Sequence, residues 1–259
     1  TFFFSWVWFF TFSDLKYSNM IVEVCANSLE SALVAERAGA DRIELCSELA
    51  VGGLTPSYGL LKAVKEQVTI PVYVLIRPRS GDFTYTIDEL NIMLSDIELC
   101  VELGFDGIVS GALLNDFSLD VVQTQKLKTA AGNLKFTFHR AFDWIKNPSE
   151  ALEQLEAMQV DYILSSGQQK SAPLGIDFLS ELKSKTKSIQ IMPGSGVNAN
   201  NIESFKDKGF SVVHLSGTAM IRVSPSKPLI TMNSERFLSD DHIAVTQLEN
   251  IKSVVSKVK

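Results

Sequence analysis

Cysteine is scarce in this chain: Cys25, Cys46 and Cys100 are the only three in 259 residues. An odd, scattered set cannot staple a small secreted scaffold, so the fold must rest on its core, and a reducing compartment suits it. There is no CxxC pair and no His-rich tract, which excludes the common structural zinc signatures. Positive charge is also in short supply. Lys and Arg number 24 against 30 Asp and Glu, a formal net charge of -6. No broad basic field awaits a phosphate backbone, so nucleic acid is not the expected partner. Long apolar runs are missing as well. The densest, TFFFSWVWFFTF at the start of the chain, falls short of the ~20 residues that cross a bilayer and lacks the positive flank and cleavage site of a secretory signal. No membrane partner is therefore expected. Residues 1–19 are read as an aromatic-rich extension outside the domain, because Met20 immediately precedes the first well-patterned strand.

What is present is an ordinary globular balance, 46% hydrophobic and 21% charged, with enough apolar material for a large core. From Met20 the chain alternates short β-branched apolar runs with longer stretches of helical period, the pattern of a parallel α/β sheet. The expected strands are IVEVC at 21, RIELC at 42, VYVLIRP at 72, GIVSG at 107, KFTFHR at 135, YILSSG at 162, IQIMPG at 189 and VVHLSG at 212. Between them SLESALVAERAGA, IDELNIMLSDIELCVELG and NPSEALEQLEAMQ carry apolar residues at i, i+3, i+4 and i+7. Asn27 or Ser28, the Thr86/Glu89 capping-box pair and Pro148 mark helix starts, and Gly39, Gly104 and Gly132 mark stops. VCANS, not a glycine-rich dinucleotide loop, follows the first strand. Eight strands in about 250 residues then predict a single-domain (β/α)8 TIM barrel over residues 20–259, rather than an open doubly wound sheet. The tail from about 221 to 240 reads as a long loop, and DHIAVTQLENIKSVVSKV as a final helix.

Barrel sites lie at the C-terminal ends of the strands, and polar residues are plentiful there. Strand alternation puts Glu23 with Cys25, Glu44 with Cys46, and Thr137 with His139 on shared faces. Glu and His are seldom buried without partners, so faces that carry them inward imply either a site or a structural ion network among Glu23, Glu44 and Arg77. Cys25 and Cys46 end adjacent strands about 4.8 Å apart, close enough to clasp one soft ion such as Cu(I), or to pack as two small hydrophobes. After strands seven and eight, Gly194, Gly196, Ser216, Gly217 and Thr218 are candidate donors to an anion, or simply turn-formers. No lysine stands at a strand's C-terminal end, which disfavours Schiff-base chemistry.

Five motifs in order, ELCSELAVGGLTPS, IRPRSGDF, FTFHRAFD, ILSSG and MPGSGV, resemble those of the CutC copper homeostasis family from about Met20 to Met220. The resemblance implies a TIM barrel, a cytoplasmic location, self-association into a homo-oligomer, and copper tolerance or Cu(I) binding. Within it Cys25 and Cys46 match the cysteines that would hold Cu(I). Ser80, Pro193 and Ser195 depart from the family's glycine-rich pattern and narrow any anion pocket. The alternative is a barrel enzyme acting on a small anionic or phosphorylated substrate. There His139, with Arg140 beside it, would serve as general acid or base oriented by Asp143 or a glutamate. Arg77 and Arg79 would hold the anion, and Glu23 and Glu44 would act on protons or a hard metal.

Overall fold

The computed structural model describes residues 20–224, 226, 229–232 and 239–259; the aromatic start, residues 1–19, lies outside them. Eight parallel strands form one sheet: β1 (Ile21–Ala26), β2 (Arg42–Leu45), β3 (Val72–Leu75), β4 (Gly107–Ser110), β5 (Lys135–Phe138), β6 (Tyr162–Ser165), β7 (Gln190–Pro193) and β8 (Val212–Leu215). Their order is β7-β6-β5-β4-β3-β2-β1-β8, so the chain curls through its strands in sequence and returns β8 to β1. The helices α1 (Leu29–Arg37), α2 (Tyr58–Gln67), α3 (Ile87–Glu102), α4 (Val121–Ala130), α5 (Pro148–Ala157), α6 (Ile176–Lys185), α7 (Ile202–Asp207) and α8 (Leu248–Val258) follow the strands in turn. This is the TIM-barrel fold that the alternation predicts.

The local signals act as their chemistry requires. Ser28 caps α1 by accepting from the Ser31 amide, Thr86 and Glu89 close a reciprocal capping box on α3, and Pro148 opens α5. Alternation along β1 sends Val22, Val24 and Ala26 outward, into the core between sheet and helices. It sends Cys25 inward, to a second apolar cluster with Cys46, Tyr73, Leu164 and Met192. Phe136, Phe138 and Phe142 are fully buried, each worth roughly 1.5–3 kcal/mol of transfer free energy.

β7 and β8 lie side by side but are the two ends of the hydrogen-bonded order. A physical reason stands at Pro193. The amides of Gln190 and Gly194 donate to β6, to the Asp161 and Ser165 carbonyls, so alternation turns position 193 toward β8. Proline there has no N–H to give.

The C-terminal expectation needs correction. Only Leu248 onward is helical; His242–Thr246 instead forms strand β10, antiparallel to β9 (Thr218–Arg222). HIAVT is β-branched and finds TAMIR as a partner, and α8 then buries Ile251, Val254 and Val258 on one face. The tail read as a loop thus begins inside β9, and its residues 225, 227–228 and 233–238 lie outside the described residues.

Candidate functional site

The C-terminal ends of the strands open into a cavity of about 1020 Å3, lined by residues that include Cys25, Glu44, Arg77, His139, Arg140 and His214. A space of that size suits a small molecule and far exceeds what one ion needs. Its two walls differ in chemistry.

On the wall built by β1, β2 and β8, the register Glu23↔Arg42, Cys25↔Glu44 and Glu23↔His214 sets adjacent inward residues side by side. His214 bridges the two acids, Nδ1 to Glu23 Oε1 at 2.8 Å and Nε2 to Glu44 Oε2 at 3.3 Å. Below them Arg42 donates from Nε to Glu23 at 2.5 Å, its guanidinium held 4.2 Å from the ring centres of both Tyr73 and Tyr162. Burial pushes Glu23 toward its neutral form, but the Arg42 charge and the His214 hydrogen bond outweigh it and hold the carboxyl down at about 2. For Glu44 burial prevails over the His214 charge, and its carboxyl is raised. His214 would be depressed by burial, yet the charges of Glu44 and Glu23 raise it.

Beside this group the sulfurs of Cys25 and Cys46 stand 3.4 Å apart, both buried and not joined by a disulfide. The hydrogen bond shared with Cys46, burial and the neighbouring acids all push the Cys25 thiol up. Ligand atoms of Cys25, Glu44 and His214 lie within 4.8 Å of one another, so the described residues hold a set able to take a metal ion.

A second wall, at the ends of β3 and β5, is cationic. Arg77 donates to the carbonyls of Val51, Gly53 and Gly81. His139 accepts from the Ala141 amide at Nδ1 and packs 4.8 Å from the Phe83 ring centre. Burial, and then the Arg77 charge, lower His139 to about 3, so its imidazole is neutral. Arg140 is tied by Nε to Asp143 and by Nη2 to the Ser166 hydroxyl.

The remaining expected residues divide. Gly196, Ser216, Gly217 and Thr218 line the cavity. Gly217 is required there for packing: its φ is +56°, and a Cβ would meet Ile251 Cδ1 at 2.3 Å where α8 comes in. Gly194 does not line the cavity, and its amide is committed to the Ser165 carbonyl. Arg79 also stays off the lining, tied to Glu89, Asp82 and the Thr84 carbonyl. The contact expected between Asp143 and His139 is not made. Asp143 instead accepts from the Ser165 and Ser166 hydroxyls and from the amides of Ser166 and Gln168, fixing the β6 loop. Nor do Glu23, Glu44 and Arg77 form one ion network, because Glu23 pairs with Arg42 and His214 while Arg77 holds carbonyls.

Two contributors escape the sequence-based reading: Arg42 reads as an ordinary strand-start charge, and Trp144 lines the cavity from a short 3-10 segment, Arg140–Trp144. His214 is legible as one of the polar strand-end residues, but its place between two acids depends on the β1–β8 return.

The match to known proteins agrees with this geometry. The CutC protein of Streptococcus agalactiae, named for copper homeostasis, superposes with a TM-score of 0.71 at 35% identity, covering 75% of this chain and 97% of its own. A CutC family protein of Salmonella paratyphi A is 48% identical over 201 residues, 78% of this chain and 81% of that one, and its Salmonella typhimurium counterpart is 47% identical over the same length. Thiamine phosphate pyrophosphorylase from Pyrococcus furiosus shares the barrel at a TM-score of 0.54 and 13% identity, with 93% of this chain and 98% of that one covered, a likeness of fold alone. No helix among the described residues is long and apolar enough to cross a membrane. The CutC family model matches residues 20–219, and the chain belongs to the CutC family.

Proposed function

We propose that this protein serves copper homeostasis by holding Cu(I) between Cys25 and Cys46 on the inner wall of the barrel mouth. The family's link to copper suggests the metal, and the observation that carries the reading is the pair of unbridged cysteine sulfurs 3.4 Å apart, one of them lining an open cavity. Cu(I) is soft and prefers sulfur, whereas carboxylate oxygens suit harder ions, so the thiol pair is a better match than the acids beside it. Neither strand has to move far, because the thiols already face one another. Three free, buried cysteines favour a reducing, cytoplasmic setting, and the family resemblance implies self-association.

The test is an anaerobic Cu(I) titration against a competing chelator. The wild-type chain should take up one equivalent, and Cys25→Ser with Cys46→Ser should lose it. Uptake of the full equivalent by the double variant rules the reading out.

A further inference from the structure

Arg77 is a buried cation with no carboxylate in contact among the described residues: only 5% of it is exposed, and it forms no ion pair. Three neutral carbonyls orient its guanidinium, and the carboxylate of Asp82 acts on it only from beyond contact distance, whereas buried charges are ordinarily paired. His139, also 5% exposed, adds a second open valence on the same wall. Its Nδ1 accepts from the Ala141 amide, which places the proton of the neutral ring on Nε2, and that atom is buried with no partner. A buried donor left unpaired is the kind of group a ligand completes. Arg140 lines the same cavity with a half-exposed side chain, its Nε and Nη2 fixed by Asp143 and Ser166 and its Nη1 outside those bonds. Phe83 and Trp144 supply an aromatic surface beside the cations, their rings edge to face at 5.0 Å.

We infer that this wall of the cavity binds a small organic carboxylate carrying an adjacent oxygen, its negative charge answered by Arg140 and Arg77 and its second oxygen accepting from His139 Nε2. Phosphate fits less well. The turn donors that line the cavity, Gly196, Ser216, Gly217 and Thr218, follow β7 and β8 rather than β3 and β5, and in the β7 turn Pro193 has no amide to offer while Gly194 gives its own to Ser165. Arg79, which would strengthen a phosphate site, is occupied by Glu89 and Asp82. A neutral imidazole donor beside one free guanidinium edge matches instead the paired oxygens of a 2-oxo or 2-hydroxy acid.

The experiment is calorimetric titration of the reduced, copper-free full chain with pyruvate, oxaloacetate, 2-oxoglutarate and malate, and with inorganic phosphate in a parallel arm. Because no copper is present, the outcome does not depend on the metal reading. At least one organic acid should bind saturably below ~10 mM. Arg140→Gln, on a half-exposed side chain, and His139→Phe, which keeps the ring packing, should each weaken that binding about 10-fold or more while the far-UV circular dichroism is unchanged. Binding of phosphate alone, no binding of any organic acid at that concentration, or binding that both variants leave intact overturns the inference.

Discussion

Two histidines line one cavity, and their surroundings drive them in opposite directions. His214 sits between Glu23 and Glu44, whose charges overcome burial and favour imidazolium. His139 is buried near Arg77, where burial and the neighbouring cation both favour the neutral ring. The contrast extends to the walls themselves. On one side acids, thiols and a bridging imidazole can receive a cation; on the other, arginines and an N–H donor can receive an anion. A closed barrel makes this possible because strands that are distant in sequence deliver side chains to one rim.

The largest expected effect of breaking this arrangement lies beneath the acidic wall. Arg42→Ala leaves Glu23 charged and fully buried with half its support gone, and should cost about 3–5 kcal/mol in urea denaturation. A loss below about 1 kcal/mol would show that Glu23 does not depend on Arg42.

The second effect sharpens the difference between the histidines. His139 has a folded-state value near 3, below its ordinary 6.5. The folded chain therefore binds fewer protons there than the unfolded chain. Its contribution is present above about pH 6.5 and lost as pH falls toward about 3, at no more than about 1.4 kcal/mol per pH unit. His139→Phe should flatten the acid limb of the stability profile by up to that slope; an unchanged limb would mean that the imidazole is not held neutral. The smallest effect belongs to the outer arginine. Arg79 and Asp82 pair at 2.9 Å with side chains 37% and 55% exposed, so Asp82→Asn should shift stability by less than about 1 kcal/mol. A larger loss would give Arg79 a weight that its position off the cavity does not predict.

These contrasts also mark how far the sequence could be read. The eight strands were legible because short β-branched runs and helical periods alternate without interruption, and their C-terminal ends named most of the rim. Side-chain partners were not legible. Asp143 follows His139 closely in the chain, but the 3-10 turn from Arg140 to Trp144 swings it to Ser165 and Ser166. Arg42 opens β2, where a charge usually faces solvent; only the β1–β2 register carries it under Glu23. The segment from Asp241 reads as helix because its apolar spacing continues into α8, and a strand there becomes visible only once β9 lies alongside. Local pattern sets elements, whereas register and turns set which groups meet.

The most direct test of the account is X-ray absorption at the copper edge on the reduced full chain loaded with one equivalent of Cu(I). A first shell of two sulfurs is the predicted result. A shell dominated by nitrogen and oxygen would place the metal on His214 and Glu44 instead, and would contradict the assignment of Cys25 and Cys46 as the clasp.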